Sequence, residues 1–180
     1  MSKKIFIVVE GPDASGKTSI AKELANKINA LYFERTLDLR ADTTKKHPIE
    51  YYESLGRKLS SQIKKELDKS SVVIARYVYS ISAIFYADTC KIRPVITGVI
   101  KPDYIIYCYA DSKTLIERLK RRSENGEPRS YIEKDPKKYK RLCRRYEDLF
   151  KNGDNVIKVN TSNKKLNKSV SKILRLLNLN

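Results

Sequence analysis

Apolar positions along this chain of 180 residues fall into two alternating kinds of run. Short unbroken runs rich in β-branched and aromatic residues predict buried strands over 5–9, 31–33, 72–75, 104–109 and 156–159. Between them, apolar residues recur at helical spacing. Ile20, Leu24 and Ile28 stand at i, i+4 and i+8 and predict a helix over 17–29. Leu55, Leu59, Ile63 and Leu67 predict a second over 49–67, and the apolar stretch 78–88 a third. Leu115, Ile116 and Leu119 mark a helix over 113–121. Asp135-Pro136 reads as an N-cap followed by proline at the first helical position, ahead of Tyr139, Leu142, Cys143, Tyr146, Leu149 and Phe150. Leu166, Val170, Ile173, Leu174 and Leu177 mark the last helix. Pro94 and Gly98 predict a loop, and so do Gly126 and Pro128 in the polar stretch 122–130. Strands alternating with helices imply right-handed crossovers and a parallel sheet covered on both faces. Ligands bind such sheets outside the carboxyl ends of the strands. No internal repeat or second domain is visible, so a single domain over 1–180 is expected.

One of those strand ends carries a motif. Gly11-Pro12-Asp13-Ala14-Ser15-Gly16-Lys17-Thr18 fits G-x-x-x-x-G-K-[ST] at every fixed position, after the first strand and before the first helix. Gly11 and Gly16 allow a tight curl without a Cβ penalty. The curl turns successive backbone N–H groups, from among Gly11, Asp13, Ala14, Ser15, Gly16, Lys17, Thr18 and Ser19, toward one anion at the positive end of a helix dipole. Lys17 adds a point charge for the β- and γ-phosphates, and the Thr18 hydroxyl can ligate Mg²⁺.

Composition adds limits. Hydrophobic content of 41% supplies a core and argues against a disordered chain. No apolar run approaches the about 20 residues that cross a bilayer. No secretory signal is read in the first residues. Cys90, Cys108 and Cys143 are widely spaced, which argues against a zinc or disulfide framework and fits a reducing cytoplasm. The formal charge is +17, and residues 113–145 hold 13 Lys/Arg against 5 Asp/Glu. Such charge suits either nucleic acid, a solvated lysine-rich surface or a small anionic substrate. No recognition-helix, zinc-finger or aromatic RNA-binding motif accompanies it, so nucleic acid is not expected as the primary ligand.

Two arginines follow neighbouring strands: Arg35 after the second and Arg76 after the third. A guanidinium fork suits a second phosphate group facing the loop. Asp13 would oppose phosphate unless turned aside, toward a sugar hydroxyl or its own backbone.

The chain resembles the thymidylate kinases at five elements in the same order. These are Glu10 through Thr18, Phe33-Glu34-Arg35-Thr36, Arg76-Tyr77-Val78-Tyr79-Ser80, Lys101-Pro102-Asp103-Tyr104, and the basic stretch with Arg121, Arg122, Gly126-Glu127 and Arg129 through Glu133. The resemblance implies a P-loop NTPase fold of α/β class, with a five-stranded parallel sheet, helices on both faces and a short basic lid over about 122–130. It implies ATP and Mg²⁺ as cofactors, dTMP as acceptor and a homodimer. Gly16, Lys17 and Thr18 would bind ATP and its Mg²⁺. Asp13 would meet the acceptor 3′-hydroxyl, and Arg35 its monophosphate. Arg76 would bridge acceptor and donor phosphates. Ser80, Arg57 and Tyr52 would lie near the acceptor base. Arg121, Arg122 and Arg129 would close over the transferring phosphate.

One position departs from the family: Ala75 stands where an aspartate precedes the arginine after strand three. Glu34 or Asp38 could replace that carboxylate, the enzyme could be slow, or the protein could bind nucleotides without turnover. A deoxynucleoside kinase with Glu34 as general base is the alternative enzyme.

Overall fold

The computed structural model describes residues 4–34, 46–162 and 165–178. Five strands of the described residues form one parallel sheet: β1 (Phe6–Glu10), β2 (Leu31–Tyr32), β3 (Val72–Ala75), β4 (Tyr104–Tyr109) and β5 (Val156–Asn160). Their spatial order is β2-β3-β1-β4-β5. The chain therefore reverses its direction of growth beside β1, and a crevice opens there above the carboxyl ends. Every residue of β1 and β3 is buried. That explains the unbroken apolar runs, since a central parallel strand is covered on both faces.

Among the described residues six helices cover the sheet: α1 (Lys17–Lys27), α2 (Ile49–Leu67), α3 (Tyr79–Thr89), α4 (Ser112–Glu124), α5 (Pro136–Leu149) and α6 (Leu166–Leu176). The pleat alternates sides along β1. Ile7 and Val9 join Ile20 and Leu24 of α1 and Val170 and Ile173 of α6. Phe6 and Val8 face the other way, against Leu59 and Ile63 of α2. On that same side, Ile105 and Tyr107 of β4 meet Ala83 of α3, Leu115 of α4, Leu142 and Tyr146 of α5, and Phe150 just beyond its end.

Local chemistry sets several boundaries. Asp111 caps α4 by accepting from Thr114 N–H at 2.8 Å, and Asp135 caps α5 by accepting from Lys137 N–H at 2.8 Å with Pro136 behind it. The helix expected over 113–121 runs on to Glu124, which puts Arg121 and Arg122 on its last turn. Cations favour a helix C-terminus, so the polar sequence there extends the helix rather than breaking it. The helix expected over 17–29 ends at Lys27, and Asn29 takes a left-handed turn. The second strand closes one residue earlier than expected, although Phe33 N–H still donates to Val73 O at 2.8 Å.

Candidate active site

Above the crevice, residues 11–16 curl between β1 and α1. Gly11 has φ +147°, and a Cβ there would fall 2.2 Å from the Cys108 carbonyl oxygen. Only glycine lets the loop lie this close to β4. Gly16 and Ala14 also have positive φ. The loop is held from outside by three distant side chains. Tyr139 OH of α5 donates to Asp13 O at 2.6 Å. The Arg118 guanidinium of α4 donates to Ala14 O at 3.2 Å and to Thr161 O at 2.6 Å. Thr161 OH, just past β5, donates to Ser15 O at 2.9 Å. Three successive carbonyls are thus held by side chains from α5, α4 and the end of β5, while Ser15 N–H closes the turn by donating to Pro12 O at 3.3 Å.

Lys17 is buried, with its ammonium donating to Pro12 O at 3.0 Å and lying 3.5 Å from Asp13 Oδ1. The Arg76 guanidinium pairs with the same Asp13 oxygen. Arg76 follows β3 with φ +67°, a left-handed conformation that is strained for arginine. Behind it lies Glu10, fully buried, which accepts from Tyr77 N–H at 2.6 Å and from Tyr146 OH at 3.3 Å. Burial, and then the Glu10 charge, push the Tyr146 phenol well up, so it stays protonated and donates. Burial pushes the Cys108 thiol up to about 12, against the opposing field of Lys17.

Asp13, Lys17, Arg76 and Tyr77 border a cleft of about 940 Å³, with Glu10, Cys108 and Tyr146 outside its lining. Asp13, Ala14, Gly16, Lys17, Thr18, Ser19, Tyr52, Arg76, Ser80, Arg121 and Arg122 line it. Gly11 and Ser15 are buried and do not line it. Arg57 turns away and donates to Thr97 O at 3.2 Å. The reason is helical phase: α2 buries Tyr52, Gly56, Leu59 and Ile63, and residue 57 is rotated off that face. Arg129 donates to Ser123 Oγ at 2.6 Å and also lies outside the lining, whereas Arg122 is held by Glu127 at 2.8 Å and Glu133 at 3.7 Å. Arg35 and Asp38 lie outside the described residues. Ala75 and Glu34 both line the cleft. Sequence reasoning gave no role to Arg118, Tyr139 or Thr161, whose contacts join residues far apart in the chain.

A family model described as thymidylate kinase matches residues 37–173. The chain belongs to the thymidylate kinase family. Among its relatives, a probable thymidylate kinase of Methanococcus vannielii is 31% identical, with 88% of each chain covered. The corresponding protein of Methanocaldococcus jannaschii is 28% identical over 81% of this chain and 85% of its own. Thymidylate kinase from Candida albicans superposes with a TM-score of 0.73 at 16% identity, covering 99% of this chain and 93% of that one. Deoxyadenosine kinase from M. mycoides with bound dATP gives 0.67 at 16% identity, over 97% and 100%. Membership makes the chain a phosphotransferase, and here the P-loop and the basic end of α4 line a common cleft. Among the described residues no group of three or more His, Cys, Asp or Glu could hold a metal ion. Mg²⁺ keeps several waters and binds through nucleotide phosphates with one or two protein oxygens. Thr18, exposed in the cleft at the start of α1, offers such an oxygen.

Proposed function

We propose that this chain transfers the γ-phosphoryl group of ATP to dTMP, yielding ADP and dTDP. One observation carries the reading: Lys17 from the P-loop and Arg76 from the end of β3 converge on Asp13 in a single cleft. Two cations from separate elements suit two phosphorylated ligands placed end to end. An oxygen of the acceptor phosphate forms the new bond to the γ-phosphorus. The bond to the β–γ bridging oxygen breaks, and ADP leaves with the electron pair. Inward N–H groups of the curl and Lys17 bind the donor phosphates, while Arg76 spans donor and acceptor. Mg²⁺, held by Thr18 Oγ and the phosphates, would neutralise charge on the β- and γ-oxygens. Asp13 is released toward the 3′-hydroxyl as phosphates take over its two cations. Arg35 grips the acceptor phosphate, and Tyr52 and Ser80 border its base. Arg121 and Arg122 neutralise the moving group and exclude water. Family membership favours this over a nucleoside kinase that uses Glu34 as base. We also expect a homodimer in the cytoplasm; among the described residues no helix is long and apolar enough to cross a membrane.

A coupled ADP-release assay with each deoxynucleoside monophosphate and each free deoxynucleoside tests the reading. ADP production with dTMP, and none above the ATP-only control with nucleosides, is the expected result. Silence with every monophosphate overturns it.

A further inference from the structure

The catalytic arginine of the proposed reaction stands on a single left-handed residue, and two anchors bracket it. Parallel register sets Val9 opposite Ala75, so Glu10 comes to lie opposite Arg76. On one side, Arg76 N–H donates to Val9 O at 2.9 Å, continuing the ladder by one bond. On the other, Tyr77 N–H leaves the ladder and donates to the Glu10 carboxylate at 2.6 Å. The peptide on each side of residue 76 is therefore fixed to β1. The φ of +67° between them is the conformation that joins these two anchors. Tyr77 is clamped further by an edge-to-face contact with Phe6, at 5.4 Å between ring centroids.

We infer that Glu10 is a positioning residue, which holds Arg76 in its left-handed turn so that the guanidinium reaches the cleft. The inference rests on the reading of Arg76 given above. Burying a carboxylate completely is costly unless it is well bonded. Here that cost falls where the chain leaves β3 in a strained conformation. Tyr146 from α5 donates to the second carboxylate oxygen at 3.3 Å, which prevents the side chain from rotating out of place. With alanine at 75, no carboxylate from β3 itself can brace this turn.

Glutamine at position 10 keeps an acceptor for Tyr77 N–H, and the Tyr146 hydroxyl can turn to accept from its amide. Alanine keeps neither. In dTMP-dependent turnover, E10Q should hold kcat within about threefold of the parent, whereas E10A should lose about 10²-fold, the cost of a small misplacement of a reacting group. KM for ATP should stay within about threefold in both, because the P-loop curl is braced from its other side. Amide hydrogen exchange gives a readout independent of turnover: Tyr77 N–H should be protected in the parent and in E10Q, and fast in E10A. A folded E10A that retains kcat within about threefold, or that keeps Tyr77 N–H protected, overturns the inference. Should E10A fail to fold, E10Q decides: loss of Tyr77 protection or of more than about 30-fold in kcat overturns it. A parent without dTMP turnover defeats the proposed function alone, and the exchange of Tyr77 N–H still decides the role of Glu10.

Discussion

Arg76 combines a functional side chain with an unfavourable backbone. Glycine at 76 removes the guanidinium but relaxes the left-handed turn; alanine removes the guanidinium and keeps the strain. R76G should therefore be more stable than R76A by about 1 kcal/mol, read from denaturant midpoints at equal m-value. Both should lose about 10²–10³ in kcat/KM, as expected for one preorganised electrostatic group. Equal midpoints for the two variants would remove the case for strain at this residue. The importance of Arg76 and of the P-loop is legible in the sequence, because fixed spacing and the end of a strand mark both. Glu10 is visible only as the last residue before the motif. Nothing local announces that it is fully buried, since that depends on β3 and α5 closing around it. Arg118, Tyr139 and Thr161 lie 104, 126 and 146 residues from their loop partners. Contacts of that separation have no periodic or motif signature.

At the level of elements, the boundary of α4 changes which arginines face the cleft. Arg122, on its last turn, lines the cleft, and Arg129 beyond it does not. R122A should lower kcat about 10²-fold and R129A under about tenfold in the same assay, since only the first presents its charge to the reaction. A reversed order of the two would argue for a large rearrangement of 125–130. A second element-scale contact joins three pieces of chain. Asp88 on α3 bonds Lys138 of α5 at 2.7 Å and Lys46, ahead of α2, at 2.7 Å. Burial alone would raise the Asp88 carboxyl, but hydrogen bonds from Lys138 and Lys46 outweigh it and hold it below its ordinary 3.8. A carboxylate depressed by folding contributes stability above its unfolded pKa and loses it as pH falls through the folded one. D88N should thus be less stable than the parent by about 2 kcal/mol at pH 7. The gap should narrow below about pH 4, where the parent's carboxylate takes up its proton. Urea titrations at both pH values check this, and a gap independent of pH would count against the triad.

Considered whole, the molecule carries +17 and must contain its own repulsion. Adding salt should raise Tm by a few degrees between about 0.02 and 0.2 M NaCl, as the screening length shortens to about 10 Å or less. Scanning calorimetry across that range reads the effect, and a flat or falling Tm would mean that attractive ion pairs outweigh the excess. Over the same range, KM for both nucleotides should rise, because the cationic cleft attracts them from a distance. The order of elements and the layered architecture were legible in the chain because apolar periodicity switches cleanly between strands and helices. The spacing of charges along the sequence carried no comparable information. Arg57 and Arg122 look alike as letters, and only the phase of α2 and the end of α4 send one to solvent and the other inward.

The three outside donors to Asp13, Ala14 and Ser15 carbonyls have a thermodynamic consequence. A cradle braced before its guest arrives loses little freedom on capture. Calorimetric titration with a non-hydrolysable ATP analogue should therefore lack the large unfavourable entropy and heat-capacity change of a loop that orders only on contact.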